Sequence, residues 1–218
     1  MRLVVFDCDG TLVDSLFAIE HAMERAFAAT GLEAPPAGAV RGIVGLSVPQ
    51  AVAALAPGHP PETLAALDRA FRDASVAYRT ANPGENGRLY PGARAALERL
   101  DAPETLMAVA TGKARRGLEH VLDAFALRRH FTATQTADDA PSKPHPGMLA
   151  NCERMTGIGP ERTAMVGDTS FDMAMARAHG CTAIGVSWGY HAVETLLEAG
   201  AHRVIDDFAD LDAALESL

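Results

Sequence analysis

The sequence predicts an α/β protein in which a doubly wound, mostly parallel β-sheet carries an inserted helical domain. Two observations predict this architecture. From Tyr90 onward, short apolar segments of strand length alternate with segments whose apolar residues recur at helical spacing. Between the first strand-like segment, Leu3 to Phe6, and this alternating region, residues 15 to 86 show only helical spacing. A chain of 218 residues, of which 48% are hydrophobic, is long enough to bury the core of such a fold.

The predicted elements follow in order along the chain. After the first strand, we expect residues 15–86 to form a helical cap domain inserted into a core domain of residues 1–14 and 87–218, with its last helix ending near residues 82–84. Further strands are expected, with helices between them, at Leu106 to Ala110, Phe131 to Thr134, Ala164 to Val166, Ala183 to Val186 and Arg203 to Ile205. This alternation favours a parallel sheet with helices on both faces, whose active site lies at the carboxyl ends of the strands.

Composition argues against several classes of function. The formal charge is −9, from 19 basic and 28 acidic residues, so a polyanion such as DNA would be repelled. No apolar stretch reaches the roughly eighteen residues that span a membrane, and no signal peptide is recognisable. The cysteines, 3 in number and widely spaced, fit neither a disulfide framework nor a zinc site. We therefore expect a cytoplasmic monomer or homodimer that binds neither nucleic acid nor membranes.

Two carboxylates directly follow the first strand. Asp7 and Asp9 are separated by one residue, so both side chains project to one side of the chain, and Gly10 lets the chain turn at once. Two acids this close repel each other unless a dication lies near them. With a dication bound, one acid can act as a nucleophile while the other carries protons. Taken alone, the segment also fits an acidic turn.

Three further clusters lie after predicted strands or before predicted helices. Thr111 and Gly112 offer a hydroxyl and backbone N–H groups at the start of a helix, where phosphate binds well. Lys143 lies in a proline-rich loop, and its ammonium can neutralise phosphate there. Asp168 and Asp172 are four residues apart and share a helix face that suits Mg²⁺. Each cluster alone also fits an ordinary turn, a solvated lysine or acids at a helix N-terminus.

Together these residues resemble the four motifs of the haloacid dehalogenase (HAD) superfamily. Residues 7–15, which read DCDGTLVDS, are similar to the first motif, and the segments at Thr111, Lys143 and Asp168 resemble the second, third and fourth in the family's order. The resemblance covers nearly the whole chain and is to phosphoglycolate phosphatase-like members, which have a Rossmann-like core and an α-helical cap. Many close relatives carry asparagine after the threonine of motif two, where this chain has Gly112.

The resemblance implies a magnesium-dependent phosphomonoester hydrolase that acts on a small phosphorylated metabolite, such as phosphoglycolate, through an aspartyl-phosphate intermediate. It implies that Asp7 is the nucleophile and Asp9 the acid and base. The residues that it assigns to the site are, for catalysis, Asp7, Asp9, Thr111 and Lys143; for phosphate binding, Thr111, Gly112 and Lys143; and for Mg²⁺, Asp7, Asp9, Asp168 and Asp172. Asp9 separates this interpretation from true haloacid dehalogenases, which need no acid to protonate an alkoxide.

Several interpretations stay open. Arg41 lies where related proteins place substrate-selecting loops, although an exposed surface arginine fits equally well, and Lys113 is expected to be solvated. A sugar phosphomutase shares the same four motifs. Outside enzymes, a receiver-like phosphorylated signalling module and a catalytically silent regulator are the alternatives. The motifs do not specify which metabolite is the substrate.

Overall fold

The computed structural model describes residues 1–82, 84 and 87–216. Its strands are β1 (Arg2–Phe6), β2 (Val13–Asp14), β3 (Arg88–Leu89), β4 (Thr105–Ala110), β5 (Ala133–Gln135), β6 (Thr163–Gly167), β7 (Thr182–Val186) and β8 (Arg203–Ile205). Its helices are α1 (Leu16–Thr30), α2 (Val48–Leu55), α3 (Pro61–Ala81), α4 (Ala93–Leu100), α5 (Arg115–Ala124), α6 (Gly147–Thr156), α7 (Ser170–His179), α8 (Val193–Glu198) and α9 (Leu211–Leu215).

Six of the strands form one parallel sheet in the order β5-β4-β1-β6-β7-β8. The first strand lies between β4 and β6, because the chain builds the sheet outward on one side of β1 and then crosses to the other side. This reversal of strand order opens a crevice at the carboxyl ends of the three central strands. The predicted α/β, Rossmann-like fold class is confirmed.

Both faces of the sheet are buried under helices. Side chains of β1 alternate between two apolar clusters, with Val4 and Phe6 in one and Leu3 and Val5 in the other. Helices α4, α5 and α9 contribute to the first cluster, and α6, α7 and α8 contribute to the second. Burial on both faces explains why the central strands read as continuous apolar runs rather than as alternating patterns.

Helices α1, α2 and α3 form a third apolar cluster of their own, which includes Phe27, Val52 and Leu67. The chain passes from the core to these helices and back through a short antiparallel ribbon, in which Val13 pairs with Leu89 and Asp14 pairs with Arg88. The separate cluster agrees with the expected cap domain, whose boundaries at residues 14 and 87 stay a prediction. Residues 83, 85 and 86, at the expected end of the cap, and residues 217 and 218 lie outside the described residues.

One predicted strand is displaced. The sequence predicts a strand from Phe131 to Thr134, whereas β5 spans Ala133–Gln135. Phe131 instead follows a short 3₁₀ turn, Arg128–His130, and its ring packs edge-on against Phe6 at 6.4 Å. An apolar side chain that packs on the core from a loop therefore produced the strand-like pattern.

No helix in the described part of the chain is long and apolar enough to cross a membrane.

Candidate active site

The carboxyl ends of the three central strands bring the predicted motifs together. Asp7 follows β1, Thr111 follows β4 and Asp168 follows β6, and all three side chains are buried. Because these strands are parallel neighbours, their ends lie at the same edge of the sheet. Asp172 joins them from the first turn of α7, whose N-cap residue Thr169 accepts a hydrogen bond from the Asp172 amide.

Three carboxylates form a buried acidic group. Asp7, Asp168 and Asp172 each offer an oxygen, and these oxygens lie within 4.8 Å of one another. Burial, opposed by Lys143 and reinforced by Asp172, raises the pKa of Asp7 to about 7. Burial and the charge of Asp7 likewise raise the pKa of Asp168 well above its usual value. Both shifts show that the ionised acids need positive charge nearby.

Lys143 supplies part of that charge. Its Nζ lies 2.9 Å from Asp7 Oδ1 and 2.6 Å from Asp172 Oδ1, and its side chain is fully buried. Burial by itself would lower the pKa of Lys143, but the carboxylates of Asp172 and Asp7 outweigh it and raise the pKa above its usual value. Lys143 is therefore a charged ammonium held between two acids.

The acidic group fits a hard dication. Asp168 accepts a hydrogen bond from Thr11 Oγ1 at 2.8 Å on one oxygen and from the Tyr190 amide at 2.9 Å on the other, which fixes its orientation. Asp7 Oδ2 is buried and has no hydrogen-bond partner among the described residues. Three carboxylates against one ammonium leave excess negative charge, and carboxylate oxygens are the ligands that Mg²⁺ prefers. Residues Asp7, Asp168 and Asp172 thus suit a metal ion.

Asp9 has a different environment. Its Oδ2 lies 2.9 Å from Lys113 Nζ, and its Oδ1 accepts a hydrogen bond from Ser15 Oγ. Its carboxylate is not one of the three in the acidic group, so the predicted role of Asp9 as a metal ligand stays a prediction. The position suits a group that exchanges protons with a substrate beside Asp7.

Lys113 was expected to be solvated, and this expectation is wrong. Its side chain is only 19% exposed and forms the ion pair with Asp9. Burial opposes the charge, but Asp9 raises the pKa of Lys113. The position of Lys113, two residues after Thr111 in a loop that follows a strand, was the available signal in the sequence.

Gly112 lies where the cap approaches the core. A Cβ atom at this position would lie 2.4 Å from the carbonyl oxygen of Gly45 and 2.5 Å from that of Leu46. In the same cap segment, the amide of Ser47 donates a hydrogen bond to Ser142 Oγ at 2.8 Å, which also ties the cap to the core. Any side chain at position 112 would therefore displace this cap loop.

Arg41 lies at a second junction between cap and core. Its Nε donates to the carbonyl of Tyr190 and its Nη2 to that of Gly189, both at 2.9 Å. The amide of Tyr190 is the group that holds Asp168. Arg41 is not among the residues that line the cavity described below, and its role in substrate selection stays a prediction. Sequence reasoning did not assign Tyr190 or Thr11 to the support of Asp168.

A cavity of about 400 Å³ lies between the cap and the core. Asp7, Asp9 and Thr111 line it on the core side, next to Gly112 and Lys113. Side chains of α1 and α3 line it on the cap side. The acidic group therefore meets this space through Asp7, and the space can hold a small molecule.

We expect Lys143→Met to destabilise the metal-free protein by about 3 kcal/mol or more, because it leaves buried carboxylates without their ammonium. Urea unfolding without divalent cations measures this change. Arg72→Met is the control, since its ion pair with Asp68 is partly exposed, at 41% and 21% of the two side chains, and should contribute about 1 kcal/mol or less. Equal stability of the two variants would contradict the role given to Lys143.

We expect Gly112→Ala to speed amide hydrogen exchange in residues 44–47 by about tenfold or more, because the added Cβ overpacks against two carbonyl oxygens. Exchange followed by mass spectrometry measures this. Gly42→Ala is the control, because a Cβ there meets no atom within 4 Å. Unchanged exchange in Gly112→Ala would show that the loop contact does not hold the cap.

Comparison with known proteins agrees with the motifs. The family described as haloacid dehalogenase-like hydrolase matches residues 4–186. A protein of Dickeya dadantii named Probable phosphatase IndB is 33% identical, over 99% of this chain and 94% of its own. A phosphoglycolate phosphatase of Mannheimia succiniciproducens is 31% identical, over 96% of each chain. The crystal structure of a hydrolase from Pseudomonas syringae is 25% identical, with a TM-score of 0.86 over 100% of this chain and 98% of that one. The resemblance inferred from the four motifs is thus confirmed, and the chain belongs to the haloacid dehalogenase-like hydrolases.

Proposed function

We propose that this chain is a magnesium-dependent phosphatase that hydrolyses a small phosphomonoester through an aspartyl-phosphate intermediate. The observation that carries the proposal is the environment of Asp7, a buried carboxylate with one oxygen paired to Lys143 and the other without a partner among the described residues. This second oxygen is available to an electrophile, and the side chain lines the cavity. The relatives named as phosphatases support the same class of reaction.

Asp7, Asp168 and Asp172 would hold the metal ion, and Asp9 was predicted to contribute as well. When bound, Mg²⁺ would supply positive charge that balances the acids and draws in the phosphate oxygens. Thr11 and Tyr190 keep Asp168 oriented, so this carboxylate does not need to reorganise when a substrate arrives.

In the first step, a carboxylate oxygen of Asp7 attacks phosphorus and forms the new O–P bond, while the ester O–P bond breaks. Asp9 donates its proton to the departing alkoxide oxygen, and the products are an alcohol and the aspartyl phosphate. Lys113 and Ser15 hold the Asp9 carboxylate beside Asp7 for this transfer.

In the second step, water attacks phosphorus and Asp9 takes its proton. The bond between phosphorus and the Asp7 oxygen breaks, which releases inorganic phosphate and restores the carboxylate. The Thr111 hydroxyl, the Gly112 amide and the Lys143 ammonium are the groups we assign to the phosphate oxygens. Contacts of the cap at Gly112 and Arg41 would exclude bulk water until the aspartyl phosphate has formed.

One relative is named as a phosphoglycolate phosphatase. We propose phosphoglycolate as one member of the class of substrates that this protein hydrolyses. A phosphomutase of the same family would use the same residues and return the phosphoryl group to a sugar. Incubation with a sugar monophosphate separates the two reactions, since a phosphatase releases inorganic phosphate and a mutase yields an isomer. We also propose that the protein acts in the cytoplasm.

We expect Asp7→Asn to abolish both magnesium-dependent phosphate release and the phosphoenzyme, because an amide is a poor nucleophile. Release from a panel of phosphorylated metabolites, with and without chelator, measures the first. The mass of acid-quenched protein measures the second. A phosphorylated Asp7→Asn variant would show that another side chain is the nucleophile.

We expect Asp9→Asn to lower turnover by about a hundredfold to ten-thousandfold, the range typical of a lost general acid and base. Steady-state kinetics measures this change with a phosphomonoester whose alcohol is a poor leaving group. The loss should be smaller for p-nitrophenyl phosphate, whose leaving group needs no proton. Full activity of Asp9→Asn on both esters would remove Asp9 from the mechanism.

A further inference from the structure

The cavity beside Asp7 is larger than a two-carbon leaving group needs. Its volume is about 400 Å³, and a water molecule occupies roughly 30 Å³ of the liquid, so roughly a dozen water-sized groups fit. A phosphate at Asp7 with the carbon atoms of glycolate would leave much of this space unfilled. The shape and chemistry of the remaining part therefore carry information on the substrate.

The cap lines this remaining part with apolar side chains. Ile19 and Met23 of α1 and Phe71 and Val76 of α3 all lie on the wall. Such a wall gains free energy from contact with the apolar body of a ligand, in proportion to the area removed from water. A leaving group whose surface is covered by hydroxyl groups, such as a sugar, would make few apolar contacts with these side chains.

Besides Arg72, two arginines line the same cavity, one from the cap and one from the core. Arg79 belongs to α3 in the cap, and Arg116 belongs to α5 in the core. Neither has a hydrogen bond or an ion pair within the described residues, whereas the neighbouring Arg72 pairs with Asp68 at 2.9 Å. Arg79 and Arg116 also line a smaller cavity together. Burial and the charge of Arg116 lower the pKa of Arg79.

Two further basic side chains lie near this pair, of which Lys113 is paired with Asp9. Lys113 and His120 line the cavity as well. Burial lowers the pKa of His120, and the charges of Arg79 and Lys113 lower it further. The carboxylate of Asp73 also lines the cavity from α3, but six residues before Arg79, which is about 9 Å along a helix axis. In a chain of net charge −9, two neighbouring arginines without an acidic partner among the described residues mark a place for an anion.

We propose that the substrate is a phosphomonoester whose leaving group has an apolar body and a second anionic group, a carboxylate or a phosphate, that binds between Arg79 and Arg116. The phosphate to be cleaved lies at Asp7, the apolar body contacts α1 and α3, and the second anion joins the cap to the core. This inference rests on the proposed phosphatase function for the position of the first phosphate. It makes Arg79 and Arg116 specificity-determining residues.

The test compares two phosphonates of equal chain length, which cannot be hydrolysed. Calorimetry with the magnesium-loaded protein measures the affinity for 6-phosphonohexanoate and for 6-hydroxyhexylphosphonate. We expect the carboxylate to bind about tenfold more tightly than the alcohol, since two guanidinium groups contact it. In Arg79→Gln combined with Arg116→Gln, this ratio should fall to about one, and Lys at both positions should retain part of it.

Arg69→Gln is the matched control, because Arg69 is an exposed arginine of the same helix that does not line the cavity. Its affinity ratio should equal that of the unchanged protein. Melting temperatures verify that each variant is folded, and the ratio within one variant cancels a general loss of affinity. Equal affinity for the two phosphonates in the unchanged protein, or a ratio that survives in the double glutamine variant, would overturn the inference.

Phosphate release from p-nitrophenyl phosphate and from 6-phosphooxyhexanoate separates this inference from the proposed function. Release of phosphate with no preference for the carboxylate would leave a phosphatase without the second anion site. Preferential binding of the carboxylate phosphonate with no phosphate release would support the anion site and contradict the phosphatase function.

Discussion

Lys143 and the buried acids that it contacts organise the carboxyl edge of the sheet. The parallel sheet delivers Asp7 and Asp168 to this edge, and α7 adds Asp172, so that three buried acids lie close together. Carboxylates in such a place repel one another and lose hydration. One ammonium held by two of them offsets part of this cost, and the negative charge that remains suits a metal ion.

The second level of organisation is the contact between cap and core. The backbone of Tyr190 donates through its amide to Asp168 and accepts from Arg41 through its carbonyl, so one residue touches both the acidic group and the cap. Gly112 has no side chain, so the carbonyl oxygens of Gly45 and Leu46 in the cap can lie close to the turn that follows β4. Contacts with backbone groups of the core therefore join the cap to the core in addition to its covalent connections.

Much of this arrangement could be predicted from the sequence, for physical reasons. Central strands buried on both faces read as apolar runs, and parallel strands place their carboxyl ends at one edge, so Asp7, Thr111 and Asp168 could be expected to converge. The ribbon of β2 and β3 could not be predicted, because each strand has only two residues. Phe131 imitated a strand because a loop residue packs on the core. The ion pair of Lys113 depends on where a flexible side chain turns, which periodicity does not encode.

The ribbon has a mechanical consequence. The chain leaves the core after Asp14 and returns at Arg88, and these two residues are hydrogen-bonded partners. Both covalent connections of the helical insert are therefore side by side, on a narrow pivot. A rigid body attached in this way can swing about the pivot, whereas sliding sideways would require the paired strands to separate. Lengthening or exchanging the helices beyond the pivot would leave the sheet untouched, because these helices have an apolar cluster separate from the two that cover the sheet.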